Sequence, residues 1–330
     1  MAQDKKSRRT PLSTWILRIL AASVAVVAVG FGILFVVFSA WKAQHLSNLE
    51  AGSNIMSTPL GDIEYVSVGT GVPHLSIHGS PGNYTNALVA RKVSPTDYDG
   101  VMTIAASRPG YLRTPLTSGK TFEQQADLFA ALLDKLGIDR AVVVASSGGG
   151  YAALQFALRH PDRCVALVMV SPSVNYEPNP PERTRNSIVR GMQDFGLWLG
   201  ALSDSLPAMM IKDWNSNDPE QVAFFRELLH GMIPIAPHLD GALNDEAQRI
   251  DPNIDRWPLE QIKVPTLLIH GDADENSTYQ GSVYVASKVP NAKLVTFAGG
   301  DHYIVFTRMH EIREHIRAFV RDQLASRTVQ

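Results

Sequence analysis

The run Val142-Val143-Val144-Ala145-Ser146-Ser147-Gly148-Gly149-Gly150 takes a β-branched segment straight into three glycines. β-Branched side chains favour a buried strand, and the glycines cut it short, so a strand is expected to stop here and a helix to start. Ser147 has Ala145 two residues before it and Gly149 two residues after it. A tight strand-to-helix turn centred on Ser147 therefore meets no bulky Cβ. Ser146 fits worse, because Val144 would occupy the corresponding small site. Taken alone, the same spacing suits a glycine-rich turn that only packs closely or cradles a phosphate.

A chain of 330 residues, 45% hydrophobic and 19% charged, can bury a large core in one domain with an insertion or in two domains. No internal repeat is visible. The formal net charge is -2, yet Lys5, Lys6, Arg8, Arg9, Arg18 and Lys42 outweigh Asp4 over residues 1–42, leaving the remainder acidic. An acidic globular part offers no electrostatic footprint for nucleic acid. Cys164 is the only cysteine, so no intrachain disulfide can form, and its apolar neighbours give it a packing role.

From Ile19 to Trp41 no residue is charged, and Ala21 to Phe38 is apolar on every face. As a helix this stretch reaches roughly 35 Å, enough for a hydrocarbon core of about 30 Å. Trp15 and Trp41 bracket it as interfacial anchors would. A cleaved signal is the rival reading, but Phe38 spoils an A-x-A-like site before a cut after Ala40. An uncleaved single-pass anchor is expected over residues 1–42. The basic cluster before the span places the amino terminus in the cytoplasm and the globular part outside it, in the periplasm if the source is bacterial. Residues 43–60, polar from Gln44 to Leu60, read as a linker.

Strand-like segments follow at Ile63–Val68, His74–Ile77, Val101–Ala106, Val142–Ala145, Cys164–Val170, Pro265–His270 and Lys293–Phe297. Thr121-x-x-Gln124 has the form of a capping box, and its helix carries Phe129, Leu132, Leu133 and Leu136 until Gly137 stops it. A last amphipathic helix is expected from about Arg308 to Leu324. Apolar strands alternating with helices imply an α/β fold with a mostly parallel sheet covered on both faces. Functional groups should then gather beyond the carboxyl ends of the strands.

Four loops at such ends carry chemically useful residues: His78-Gly79-Ser80-Pro81-Gly82, Ser147 with Gly148 and Gly149, Gly271-Asp272-Ala273-Asp274, and Gly299-Gly300-Asp301-His302. Together they resemble the α/β-hydrolase family, over most of residues 61–173 and 258–330. The first is similar to its H-G-x-P-G oxyanion loop and the second to its G-x-S-x-G elbow, with Ala145 for the first glycine. The third and fourth are similar to the turns that deliver its triad acid and its histidine, in the family order Ser, Asp, His. Arg108-Pro109-Gly110-Tyr111 also resembles a family turn, although Leu112 stands where glycine is common. No P-loop lysine follows the glycines of the elbow.

The resemblance implies Ser147, Asp274 and His302 as catalytic residues, with the backbone N–H groups of Ser80 and Gly148 as oxyanion donors. Such chemistry needs a base to take the serine proton, a carboxylate to fix the imidazole tautomer, and preorganised donors for the oxyanion. Asp272 and Glu275 are alternative acids beside Asp274, and the family spacing from Gly271 selects Asp274. His78 is expected to shape its loop. His74 and His78, about 13 Å apart on a strand, make no metal site, and neither metal nor cofactor is expected.

The hydrolase core would run over residues 61–173 and 258–330, interrupted by a helical cap over 174–257. Methionine and aromatic patches in the cap, among them Met192, Trp198, Met209, Phe224 and Phe225, suit an acyl or alkyl group, although such stripes more often form the core of the cap itself. The expected activity is hydrolysis of a carboxylic ester, with amide, thioester, lactone or carbon–carbon substrates as alternatives on the same fold. Epoxide hydrolases and haloalkane dehalogenases place aspartate at the elbow, which Ser147 opposes. A non-catalytic, membrane-tethered binding protein is the reading from another class.

Overall fold

The computed structural model describes residues 12–93, 100–174, 185–202, 207, 211, 213–215, 217–250 and 253–328. It divides into two units, residues 1–46 and 47–330. The first is most of helix α1 (Leu12–Ala51), which is long and apolar enough to cross a membrane by length and composition.

The second unit is built on an eight-stranded sheet: β1 (Asn54–Thr58), β2 (Gly61–Val68), β3 (Gly71–Ile77), β4 (Gly100–Ala106), β5 (Ala141–Ser146), β6 (Cys164–Val170), β7 (Thr266–Gly271) and β8 (Ala292–Phe297). Their order is β1-β2-β4-β3-β5-β6-β7-β8. β1, β2 and β4 pair antiparallel, and every pair from β4 to β8 is parallel. The expected α/β architecture is therefore present. Around the sheet lie α2 (Tyr84–Val89), α3 (Phe122–Lys135), α4 (Gly150–Arg159), α5 (Ser187–Leu202), α6 (Pro219–Met232), α7 (Leu239–Arg249), α8 (Tyr279–Lys288), α9 (Ile304–Thr307) and α10 (Met309–Thr328).

Residues 43–60 do not form a linker. No proline interrupts α1, which continues to Ala51, and Asn54–Thr58 pairs with β2 from Asn54↔Tyr65 to Thr58↔Gly61. The polar composition belongs instead to an edge strand with one face to solvent, where serine and threonine need no burial. The Thr58 hydroxyl ties the hairpin turn, accepting from Leu60 N and donating to Gly61 O.

Parallel strands buried on both faces explain why β5 and β6 read as continuous apolar runs. Alternate residues of β5 feed opposite cores. Val143 and Ala145 pack with Phe129, Leu133 and Phe156 of α3 and α4. Val142 and Val144 pack with Ile312 and Ile316 of α10. The Thr121–Gln124 capping box starts α3 and Gly137, at φ +67°, follows its end. Ile77 pairs with both Ala106 and Ala145, Ser146 with Val170, and Val170 with Ile269. This register brings the loops after β3, β4, β5, β6 and β7 to one edge of the sheet. Between β6 and β7 the chain inserts α5, α6 and α7.

Candidate active site

Ser147 follows β5 immediately and adopts φ +45°, a left-handed conformation that costs an L-residue on the order of 1–2 kcal/mol. Neighbours hold it there. Its carbonyl accepts from Ser173 N at 2.8 Å, tying the turn to the loop after β6. A Cβ on Gly149 would stand 2.8 Å from His78 O and 2.9 Å from Ile77 O, so close backbone approach excludes any larger residue there. The small residue the turn demands is thus Gly149. Leu112 also has positive φ, +48°, so the glycine common at that place is replaced at the expense of strain.

Ser147, Ser80 and His302 line one cavity of about 690 Å³. That volume lies within the roughly 300–1,000 Å³ usual for ligand sites. Core strands supply Val144 and Val170, and the insertion supplies Leu197, Phe224, Phe225 and Leu228. The inserted helices therefore wall the space above Ser147.

His302 Nδ1 lies 2.7 Å from Asp274 Oδ2. A carboxylate only accepts, so Nδ1 carries the proton and Nε2 is the nitrogen left for proton exchange. Asp274 is 5% exposed, and its Oδ1 accepts from Asn276 N and Ser277 N, both at 2.8 Å. Burial raises its carboxyl pKa, but hydrogen bonds from His270 and His302 and from the Ser277 backbone outweigh that and hold it below the usual carboxylate range. Of the two alternative acids, Asp272 accepts from Gly299 N at 2.6 Å and ties the turn, and Glu275 lines the cavity wall.

The structure adds His270, which sequence reasoning passed over. Its Nε2 lies 3.0 Å from Asp274 Oδ2 and 2.8 Å from Ser277 O, both acceptors, so that nitrogen is protonated. Its Nδ1 meets Ser282 Oγ at 2.7 Å. A polar residue closing the buried strand Thr266–Gly271 was the available signal, since such a side chain must find partners.

On the other flank, His78 Nε2 accepts from Arg108 N at 2.8 Å while Nδ1 faces Gly79 O at 2.6 Å. Both ring nitrogens are committed in the neutral form. Burial lowers its pKa well below the ordinary histidine value, and the nearby Arg108 cation adds to this. Gly148 sits against Ser80: a Cβ built on it would lie 3.3 Å from Ser80 N. The two residues expected to supply oxyanion donors are thus side by side. Behind them Arg108 and Asp245 form a buried ion pair with Tyr111 against the same carboxylate. Asp245 was not singled out from sequence, because it lies in the insertion, far along the chain from the turn that holds Arg108 and Tyr111.

The model of the alpha/beta hydrolase family matches residues 75–315. The chain belongs to the alpha/beta hydrolase family. As a member it is a hydrolase, like its relatives. It is 26% identical over 266 residues to 2-hydroxy-6-oxononadienedioate/2-hydroxy-6-oxononatrienedioate hydrolase 1 of Dechloromonas aromatica (strain RCB), covering 77% of this chain and 90% of that protein. An alpha/beta hydrolase fold protein from Nakamurella multipartita superposes with a TM-score of 0.68 at 30% identity, covering 81% of this chain and 99% of the other. Est816, described as an N-acyl homoserine lactone degrading enzyme, superposes with a TM-score of 0.54 at 27% identity, covering 78% and 96%.

Proposed function

We propose that this hydrolase cleaves carboxylic esters through an acyl-enzyme formed on Ser147. The observation that carries the reading is the pairing of His302 Nδ1 with the buried Asp274 beside a cavity that Ser147 also lines. His302 Nε2 takes the Ser147 proton as Oγ attacks the ester carbonyl, and returns it to the departing alkoxide. Asp274 holds the imidazole tautomer and stabilises the imidazolium. The N–H groups of Ser80 and Gly148 receive the oxyanion, each such donor being worth on the order of 10²–10³ in rate. Water activated by the same histidine then releases the acid.

The mainly apolar walls at Phe224, Phe225, Leu228 and Leu229 suit an apolar acyl group. A lactone is a cyclic ester, so the lactone-degrading relative supports an acyl–oxygen bond as the target. Helix α1 anchors the enzyme in a membrane, and the basic residues before it keep the amino terminus cytoplasmic. Treatment of the full chain in detergent with a fluorophosphonate is expected to place one adduct on Ser147. Labelling elsewhere, or equal labelling of Ser147→Ala, contradicts the mechanism. A graded series of nitrophenyl esters should show a chain-length optimum, and a carboxyl-terminal reporter active only in the cytoplasm would reverse the orientation.

A further inference from the structure

The insertion reaches past the cavity wall into the back of the oxyanion loops. Helix α7 carries Asp245, 1% exposed, onto Arg108, which is fully buried. Asp245 Oδ1 accepts from Arg108 Nη1 at 3.2 Å, and Oδ2 pairs with Nη2. The same Nη1 donates to Gly148 O at 3.1 Å. Tyr111 Oη lies 2.6 Å from Asp245 Oδ2 and 2.8 Å from Ser80 Oγ. A carboxylate accepts only, so the tyrosine proton goes to Asp245 and the Ser80 hydroxyl donates to the tyrosine oxygen. One carboxylate from the insertion thereby orients both Ser80 and, through Arg108, Gly148.

The seat of α7 is built for this contact. Gly241 N donates to Gly110 O and Leu112 N to Pro237 O, each at 2.8 Å. A Cβ on Gly241 would stand 2.3 Å from the Tyr111 ring, and one on Gly110 would stand 2.5 Å from Gly241 N. At Gly241 the helix therefore presents bare backbone to Gly110 and to the Tyr111 ring, and Tyr111 is fixed directly by the helix that bears Asp245.

We propose that Asp245 is a positioning residue for the oxyanion site, acting through Tyr111 on Ser80 and through Arg108 on Gly148, so that the site is competent only with α7 seated. This rests on the serine-hydrolase reading above. The geometry predicts a loss confined to the transition state, because donors that drift lose the oxyanion without losing the acyl pocket. The variants Asp245→Asn and Tyr111→Phe, made in the full chain in detergent, are compared with the unaltered enzyme on p-nitrophenyl butyrate and against a trifluoromethyl ketone. We expect kcat to fall about 100-fold in the first and about 10-fold in the second, with KM changed less than about threefold. Affinity for the ketone, which mimics the tetrahedral adduct, should fall with kcat, whereas a merely structural contact would lower thermal stability without that parallel. Tyr111→Phe removes one hydroxyl and keeps the ring, so it remains informative if Asp245→Asn does not fold. Variants that keep kcat within about threefold, or lose activity through KM alone, would overturn the proposal. If the fluorophosphonate labels Ser147 in the unaltered chain, that result falls on the positioning role alone. Absence of labelling there would overturn the serine-hydrolase reading, and the positioning role with it.

Discussion

Asp274 and Asp245 are both buried carboxylates in the part of the molecule that holds the Ser147 cavity, and they are held in opposite ways. Asp274 is gripped by its own turn, through Asn276 N, Ser277 N and His270, and by a single distant residue, His302. Asp245 is gripped by Arg108 and Tyr111, both more than a hundred residues away in sequence. One faces imidazoles that can exchange protons, the other a permanent cation. The first arrangement suits the proposed chemistry, in which its partner His302 changes charge during turnover. The second suits architecture, because a guanidinium never gives up its proton and its pairing is lost only when the helix moves.

The contrast is sharpest in rate. Asp274→Asn is expected to lower kcat by about 10⁴, since an amide cannot hold the imidazole in the required tautomer, with little change in folding. Steady-state ester hydrolysis alongside circular dichroism checks both parts. A kcat within tenfold of the unaltered enzyme would transfer the acid role elsewhere. Stability should order the two residues the other way. Asp245→Ala strands a buried guanidinium and is expected to cost about 3–5 kcal/mol, whereas Asp274→Ala strands neutral donors at about 1–3 kcal/mol. Denaturant unfolding in detergent measures the difference. Replacing the pair together, Arg108→Met with Asp245→Leu, should recover much of the lost stability while leaving kcat low.

The same difference decides what could be read before folding. Asp274 was legible because its spacing from Gly271 and the turn that bears it are local, and a local turn leaves its mark in consecutive residues. Ser147 and His302 were legible for the same reason, each announced by glycines next to a strand. Asp245 left no such mark: one of two aspartates in Leu239–Arg249, with Glu246 beside it, looks like any solvated helix residue until the fold places it on Arg108. Arg108 was visible as part of a turn, but its need for a buried counter-charge could not be assigned a partner. The misread linker failed in a related way, since serine and threonine at an edge strand are indistinguishable by composition from a tether. Residues 175–184, the start of the expected cap, lie outside the described residues, as do Met209 and Met210.

Acid should separate the two sides of the site by pH window. On the Arg108 side His78 is kept neutral by burial, reinforced by the guanidinium. As pH falls through 6.5, the unfolded chain takes a proton there that the native chain refuses, so stability declines with a slope of up to about 1.4 kcal/mol per pH unit for one such proton. His74, lowered to about 4 by burial and by Arg91, adds to the same window. Asp274 has the opposite placement. Its depressed carboxyl contributes stability that is fully present above the ordinary carboxylate value and is lost only as pH falls below about 4. A His78→Asn variant should therefore show a shallower decline between pH 6.5 and 4.5, and Asp274→Asn should match the unaltered chain there and differ only at lower pH. Identical slopes for His78→Asn and the unaltered enzyme would show that His78 titrates normally in the fold.

The smallest effect concerns the second donor on each carboxylate. His270 and His302 both address Asp274 Oδ2, so His270 draws on the negative charge that would otherwise stabilise the imidazolium of His302. Replacing His270 by Phe removes that donor from a buried site and leaves the carboxylate charge to His302. The hydrogen bond at stake is worth about 1 kcal/mol, so on the proposed mechanism kcat should change by less than about fivefold, because the pairing of His302 with Asp274 is kept. Tyr111→Phe, which removes the analogous second donor from Asp245, should cost about 10-fold, since its hydroxyl also meets Ser80 Oγ. Steady-state ester hydrolysis by the two variants side by side checks the order. A larger loss in His270→Phe than in Tyr111→Phe would mean that the second donor on Asp274 carries more of the site than the one on Asp245.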